Sequence, residues 1–236
     1  MKPVNNVVIV GGGTSGWMCA AAIARMAPPN ASITLVESEA IGVIGVGEAT
    51  IPPLLEFNQF LGLDEHEVLR ECQGTYKLGI EFVDWLRPGH AYVHPFGSFG
   101  IDMLGIEFQH FWLRGQQVGD TSRIDDYSVA AVAGKSGRFG WPRPDNPKSP
   151  MSKLSYAFQF DAGRYARFLR RYAEGQGVVR HEGIVQHVTR DGESGDITAI
   201  TRNVAMGKKH RVQGTPAVVM ADPNSLTGQY LSGAKE

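Results

Sequence analysis

A run of β-branched residues, Val7-Val8-Ile9-Val10, stops abruptly at Gly11-Gly12-Gly13-Thr14-Ser15-Gly16, and a helical stretch from Trp17 to Met26 follows at once. Four consecutive β-branched residues read as a buried strand, and glycines at 11, 13 and 16 suit a tight strand-to-helix turn in which each has its own task. Gly11 permits the sharp turn, Gly13 lets main-chain N–H groups approach a pyrophosphate, and Gly16 lets helix and strand pack closely. The phosphates then lie at the positive end of the helix. A second apolar run, Ser32-Ile33-Thr34-Leu35-Val36, closes on Glu37, about twenty residues on, where an acid accepts hydrogen bonds from ribose hydroxyls. Together these make a dinucleotide site on an α/β fold, with Gly11, Gly13, Thr14, Ser15, Gly16 and Glu37 as candidate contacts. NAD and FAD share this fingerprint; Ser38 after Glu37 offers no basic partner for a 2′-phosphate, which argues against NADP.

Composition narrows the partners. A chain of 236 residues can bury a full core, as one large domain or two small ones. Its 23 Lys and Arg against 24 Asp and Glu give a net charge of −1, so no overall field calls for nucleic acid or an anionic membrane, and a small molecule is the expected partner. Cys19 and Cys72 lack the paired spacing of a zinc site or a disulfide framework, so no metal is expected and the reducing cytoplasm is the expected location. The first apolar run is cut by glycines too early for a signal peptide or a membrane span.

Further along, Gly42 to Pro53 forms a second glycine-rich loop that leads into a predicted helix from Leu54 to Leu61, with Thr50 placed to cap it and Pro52 near its first turn. Its glycines suit a backbone lying flat against a ligand. From Thr75 the pattern alternates: Tyr76, Leu78, Ile80 and Phe82 share one face of a predicted strand, and Lys77 projects from the other, where the residues alone predict a solvated lysine. Residues 87–153 are rich in Gly, Pro and aromatics, the composition of an irregular binding region or lid. Within it, His94 and Phe96 suit a clamp on a flat ring, although a histidine before proline in a loop is also a common structural feature. Asp161 to Glu174 returns to helical spacing, with Tyr165, Phe168, Leu169 and Tyr172 as an apolar stripe beside four arginines. Short strands then follow at 178–188 and 196–200 as a meander.

Five motifs in order, GGGTSGW at 11–17, GVGEATIP at 45–52, YKLGIEFVDW at 76–85, YVHPFG at 92–97 and YAFQFDAGRYARFLRRYAEGQGV at 156–178, resemble the amino-terminal portion of the flavin-dependent tryptophan halogenases over residues 7–200. The resemblance implies a Rossmann-like FAD-binding α/β fold with a mostly parallel sheet plus an antiparallel meander, incomplete in this chain. It also implies FAD that arrives reduced from a separate flavin reductase, reacts with oxygen and oxidises halide to hypohalous acid. Lys77 matches the lysine that forms a haloamine or hydrogen-bonds the hypohalous acid and directs the halogen to an electron-rich, tryptophan- or indole-like ring. His94 and Phe96 match the aromatic substrate clamp. Gly47, Glu48, Ala49 and Thr50 match a strap that touches the cofactor mainly through backbone. A related aromatic hydroxylase, or an inactive nucleotide-binding fragment, are the alternatives.

The family's Trp-x-Trp-x-Ile-Pro signature is absent from this sequence. The expected division is therefore an FAD-binding domain at 1–205, with 87–153 as its substrate-side excursion, and an unrelated or divergent tail at 206–236. That tail, through Val212-Gln213-Gly214-Thr215-Pro216 and Asp222 to Gly233, resembles a segment of the DNA-repair ATPase of the ABC excinuclease, as a fusion of two coding sequences would produce. The chain alone is expected to leave apolar surface uncovered and to be inactive.

Overall fold

Strand β1 (Asn6–Val10) runs through the glycine turn into helix α1 (Thr14–Met26) and returns as β2 (Ser32–Glu37), the crossover that the sequence predicts. The computed structural model describes residues 5–41, 49–193, 195 and 197–203. Helices α2 (Pro53–Leu61) and α3 (Glu65–Glu71) follow, then strands β3 (Thr75–Lys77), β4 (Gly79–Val83) and β5 (Ala91–Pro95). Next come α4 (Phe108–Gln117), α5 (Val129–Lys135), β6 (Ala157–Gln159) and α6 (Ala162–Gly175). The last described elements are β7 (Val179–Glu182), β8 (Ile184–Arg190) and β9 (Ile197–Asn203). One three-stranded sheet has the order β1-β2-β7, and β3–β6, β4–β5 and β8–β9 form separate two-stranded sheets.

The described residues divide into two compact units, one from 5–35 and 49–179, the other from 36–41 and 180–203. In the first, α1 packs on α6 because small residues, Ala20, Ala21 and Ala173, lie fully buried where the helices meet the core. Larger side chains fill the remainder: Trp17, Leu35, Phe158, Tyr165 and Leu169 are essentially inaccessible to solvent. The predicted stripe on α6 is largely the buried face, while Arg170 and Arg171 on the outer side pair with Glu174 at 2.9 Å and Glu71 at 2.8 Å. Asp161 caps α6 by accepting from the Arg164 amide at 2.8 Å. The second unit holds the end of β2, whose Glu37 carbonyl accepts from the Gly183 amide at 2.7 Å, and the antiparallel β8–β9 hairpin.

Three expectations change. β1 is a strand but not a buried one: it lies at the edge of the described sheet, and Val8 and Val10, which share one face, are about half exposed. The single strand expected from Thr75 breaks at Leu78 into β3 and β4, which pair with different partners, β6 and β5. The excursion at 87–153 is not irregular throughout, since it carries β5, α4, α5 and 3₁₀ turns at Ile124–Tyr127 and Pro150–Lys153. Several of its apolar side chains remain open, Ile101 and Leu104 most fully.

Asp125 anchors that excursion. Its carboxylate is buried and accepts from Arg123 and Lys135, each at 3.0 Å, and from the Val93 amide at 3.4 Å. Burial alone would raise its pKa, but the bonds from Lys135, Arg123 and Val93 outweigh that and hold the carboxyl below the usual aspartate range. The unfolded chain therefore binds the proton more tightly, so this contribution to stability is complete above the ordinary aspartate pKa and fades as pH falls through the lowered folded value. Asp125→Asn should cost roughly 1–3 kcal/mol at pH 7, since it removes a buried carboxylate's charge while both cationic partners are partly open to solvent. Urea unfolding of both proteins should show this gap shrink steadily below about pH 4.

Candidate functional site

The glycine turn is an open cradle lined by main chain. Gly11 adopts φ +110°, a conformation that side chains rarely tolerate, and a Cβ on Gly16 would lie 1.8 Å from the Gly11 carbonyl oxygen. Gly13 has open space where its side chain would be. It also stands at the start of α1, which among the described residues has no side-chain cap and no acid in its own first turn to offset that positive helix end. Thr14 Oγ1 donates to the Ala162 carbonyl at 3.3 Å and ties the turn to the start of α6. Free space at Gly13 beside main-chain N–H groups without a side-chain cap is the chemistry that a pyrophosphate requires. In the second unit, Glu37 is already engaged: Arg180 Nε donates to its Oε1 at 2.5 Å, and the same guanidinium bonds Glu182 and reaches Glu39 at 3.5 Å. Sequence reasoning missed Arg180; its one signal was a charged side chain on a predicted strand of the meander.

Lys77 is not the solvated lysine that local alternation predicts. It closes β3, opposite Ala157 of β6, and is buried. Its Nζ donates to the Thr50 carbonyl at 2.9 Å and stands 5.3 Å from the centre of the Phe96 ring. Burial holds its pKa below the ordinary lysine value. Alternation gives the side of a strand, but not what packs on that side; here the segment before α2 and the turn after β5 both cover it. A cavity of about 450 Å³ adjoins this strand, lined among others by Tyr76, Lys77, Glu81, Arg138, Phe139 and Gln159.

The other candidates are distributed around this point. His94 is exposed on β5 and Phe96 is buried just beyond it, their rings edge to face with centroids 6.5 Å apart, rather than parallel as two plates of a clamp. Ala49 forms an isolated bridge to Gln159. Thr50 does not cap α2 as expected: the capping position is Pro52, without a side-chain bond, and the Thr50 hydroxyl is bonded instead to the main chain of Phe158. Gly47 and Glu48 lie outside the described residues.

A β–α–β crossover with an open glycine turn defines a Rossmann-like α/β protein, and the same unit holds an enclosed lysine amine. The tryptophan halogenase family model matches residues 6–213, and the chain belongs to that family. Tryptophan 6-halogenase SttH of Streptomyces toxytricini is 38% identical over 195 residues, 74% of this chain and 36% of its own length. Tryptophan 7-halogenase RebH of Lentzea aerocolonigenes is 37% identical over 216 residues, 84% of this chain and 39% of its own. Among solved structures, Xcc4156, a flavin-dependent halogenase from Xanthomonas campestris, aligns with TM-score 0.77 and 44% identity over 86% of this chain and 40% of that one. BrvH, a flavin-dependent halogenase from Brevundimonas sp. BAL3, gives 0.76 and 41% over 85% and 40%. The chain thus spans well under half the length of the relatives it matches. The family match continues past residue 205, and nothing in these comparisons supports the excinuclease likeness of the tail. Among the described residues, no helix is long and apolar enough to cross a membrane.

Proposed function

We propose that this chain is the flavin-binding, lysine-bearing part of a flavin-dependent halogenase that acts on an electron-rich aromatic small molecule of the tryptophan or indole class. The observation that carries the reading is the Lys77 amine, buried, held by one carbonyl and set beside an aromatic ring. FAD, reduced by a separate flavin reductase, would supply the oxygen chemistry that turns halide into hypohalous acid. Gly11, Gly13, Thr14, Ser15 and Gly16 would hold its pyrophosphate through main-chain N–H groups. Glu37, its carboxylate oriented by Arg180, is the proposed acceptor for ribose hydroxyls, and Ala49 belongs with Gly47 and Glu48 to the strap beside the cofactor. The division at about residue 205, with 87–153 on the substrate side, and a cytoplasmic location complete the reading.

Lys77 would do the directing. A lysine kept below its ordinary pKa offers more neutral amine at a given pH than an exposed one. That nitrogen can take the halogen from hypohalous acid, releasing water, and pass it to a ring carbon that then loses its proton; alternatively its N–H polarises the acid in place. Either route confines a diffusible oxidant to one position. Phe96 and the more exposed His94 would border the ring. The test is a chimera that joins this chain to the carboxy-terminal part of the Brevundimonas relative, incubated with tryptophan or indole, reduced FAD, oxygen and bromide. A product heavier by one bromine in place of hydrogen is expected, and none without halide. A product carrying one added oxygen identifies a hydroxylase, and a chimera that binds FAD yet makes neither product refutes an enzymatic role.

A further inference from the structure

We propose that Thr50 is the positioning residue for the Lys77 amine, a role that rests on the reading of Lys77 as the reactive group. Every polar group of Thr50 is committed. Its amide donates to the Phe158 carbonyl at 2.9 Å, and its hydroxyl donates to the same oxygen at 2.8 Å while accepting from the Phe158 amide at 3.0 Å. Its carbonyl accepts from Lys77 Nζ at 2.9 Å.

The geometry closes a ring. Lys77 pairs with Ala157, the residue before Phe158, in the β3–β6 ladder. The backbone that carries the lysine and the carbonyl that receives its amine are therefore both fixed to the same short strand. Phe158 is fully buried, so that strand cannot shift without disturbing the core. Left alone, a lysine stem has four rotatable carbons and no preferred endpoint. Here three bonds from one threonine lock the acceptor's orientation, and the Phe96 ring walls the other side at 5.3 Å. One N–H of the amine is thereby occupied and the remaining positions of the nitrogen are left to face a reactant. Threonine suits this place because its hydroxyl both donates and accepts, which the isosteric valine cannot do, and valine would strand the Phe158 amide.

The experiment is competitive amine labelling of the full chain with acetic anhydride across pH, read by mass spectrometry as the rate at Lys77 relative to Lys153. This needs neither cofactor nor turnover. In Thr50→Val, the limiting labelling rate of Lys77 at high pH should rise about three- to tenfold as the amine reaches water, and its pH midpoint should move up toward that of an ordinary lysine. Thr50→Ser, which keeps the hydroxyl, should return both readings to within about twofold of wild type. Should valine prevent folding, judged by thermal melting, Thr50→Ala carries the same comparison. Unchanged labelling in a folded valine or alanine variant, or a serine variant that behaves like valine, overturns the positioning role. Labelling that responds as expected while the chimera shows no halogenation keeps the threonine–lysine coupling and removes the halogenase reading alone.

Discussion

Lys77→Ala in the halogenating chimera should lower product formation at least a hundredfold while FAD binds as before. The size follows from losing the only group proposed to meet the oxidant near the ring, since one well-placed donor or nucleophile is commonly worth a factor of about 10² to 10³. Binding should survive because the lysine's contacts are to Thr50 and Phe96, not to the glycine turn. Lys77→Arg is the sharper variant: it keeps the positive charge and donors but cannot supply a neutral amine, so residual activity there would favour polarisation over a haloamine. Product yield by mass and FAD fluorescence quenching separate the two effects. Full activity in the alanine protein would end the assignment.

The same substitution site has a stability signature with a definite sign. Lys77's pKa is lowered on folding by burial, so the unfolded chain binds more protons between the folded and unfolded values. Stability must therefore rise with pH through that window and be complete above the ordinary lysine pKa of about 10.4. Lys77→Met, which keeps the stem without the charge, should lack this rise. Denaturant midpoints at pH 7 and pH 10.5 for both proteins provide the check. A parallel pH dependence in the two would show that the amine gives up no proton more readily in the fold.

What the sequence disclosed depends on how local the determining physics is. The crossover was legible because a β-branched run, a glycine turn and an amphipathic helix each carry their own period and punctuation within a few residues. Helix α6 was legible for the same reason, down to Asp161 at its start. The Lys77 site was not legible from local pattern: its burial is made by Thr50 and Phe96, 27 residues before it and 19 after, and alternation along one strand is silent about distant partners. Only the likeness of ordered motifs pointed to that lysine. Thr50 shows the opposite error, since a threonine ahead of Pro52-Pro53 has the local chemistry of a helix cap, and a tertiary contact with β6 claimed its hydroxyl instead. β1 failed for want of context too: four β-branched residues specify a strand, but whether both faces are covered depends on neighbours that lie elsewhere in the chain.

The glycine turn allows binding and folding to be pulled apart with two alanines. At Gly16 an added Cβ falls 1.8 Å from the Gly11 carbonyl oxygen, a clash with the main chain that no rotamer can relieve. The turn must open or α1 must move off β1. Gly16→Ala should therefore cost about 3 kcal/mol or more in stability and abolish FAD retention with it. At Gly13 the added methyl meets nothing within 4 Å, and the residue's φ of −69° is ordinary for alanine. The fold should accept it, with a melting temperature close to that of the parent. The methyl would nevertheless occupy the space beside the start of α1 that a pyrophosphate needs, and the lost close approach to main-chain N–H groups should weaken FAD binding about a hundredfold. Thermal melting and FAD titration of both variants decide the matter: a stable Gly13→Ala protein that still binds FAD with parental affinity would move the phosphate site away from this turn.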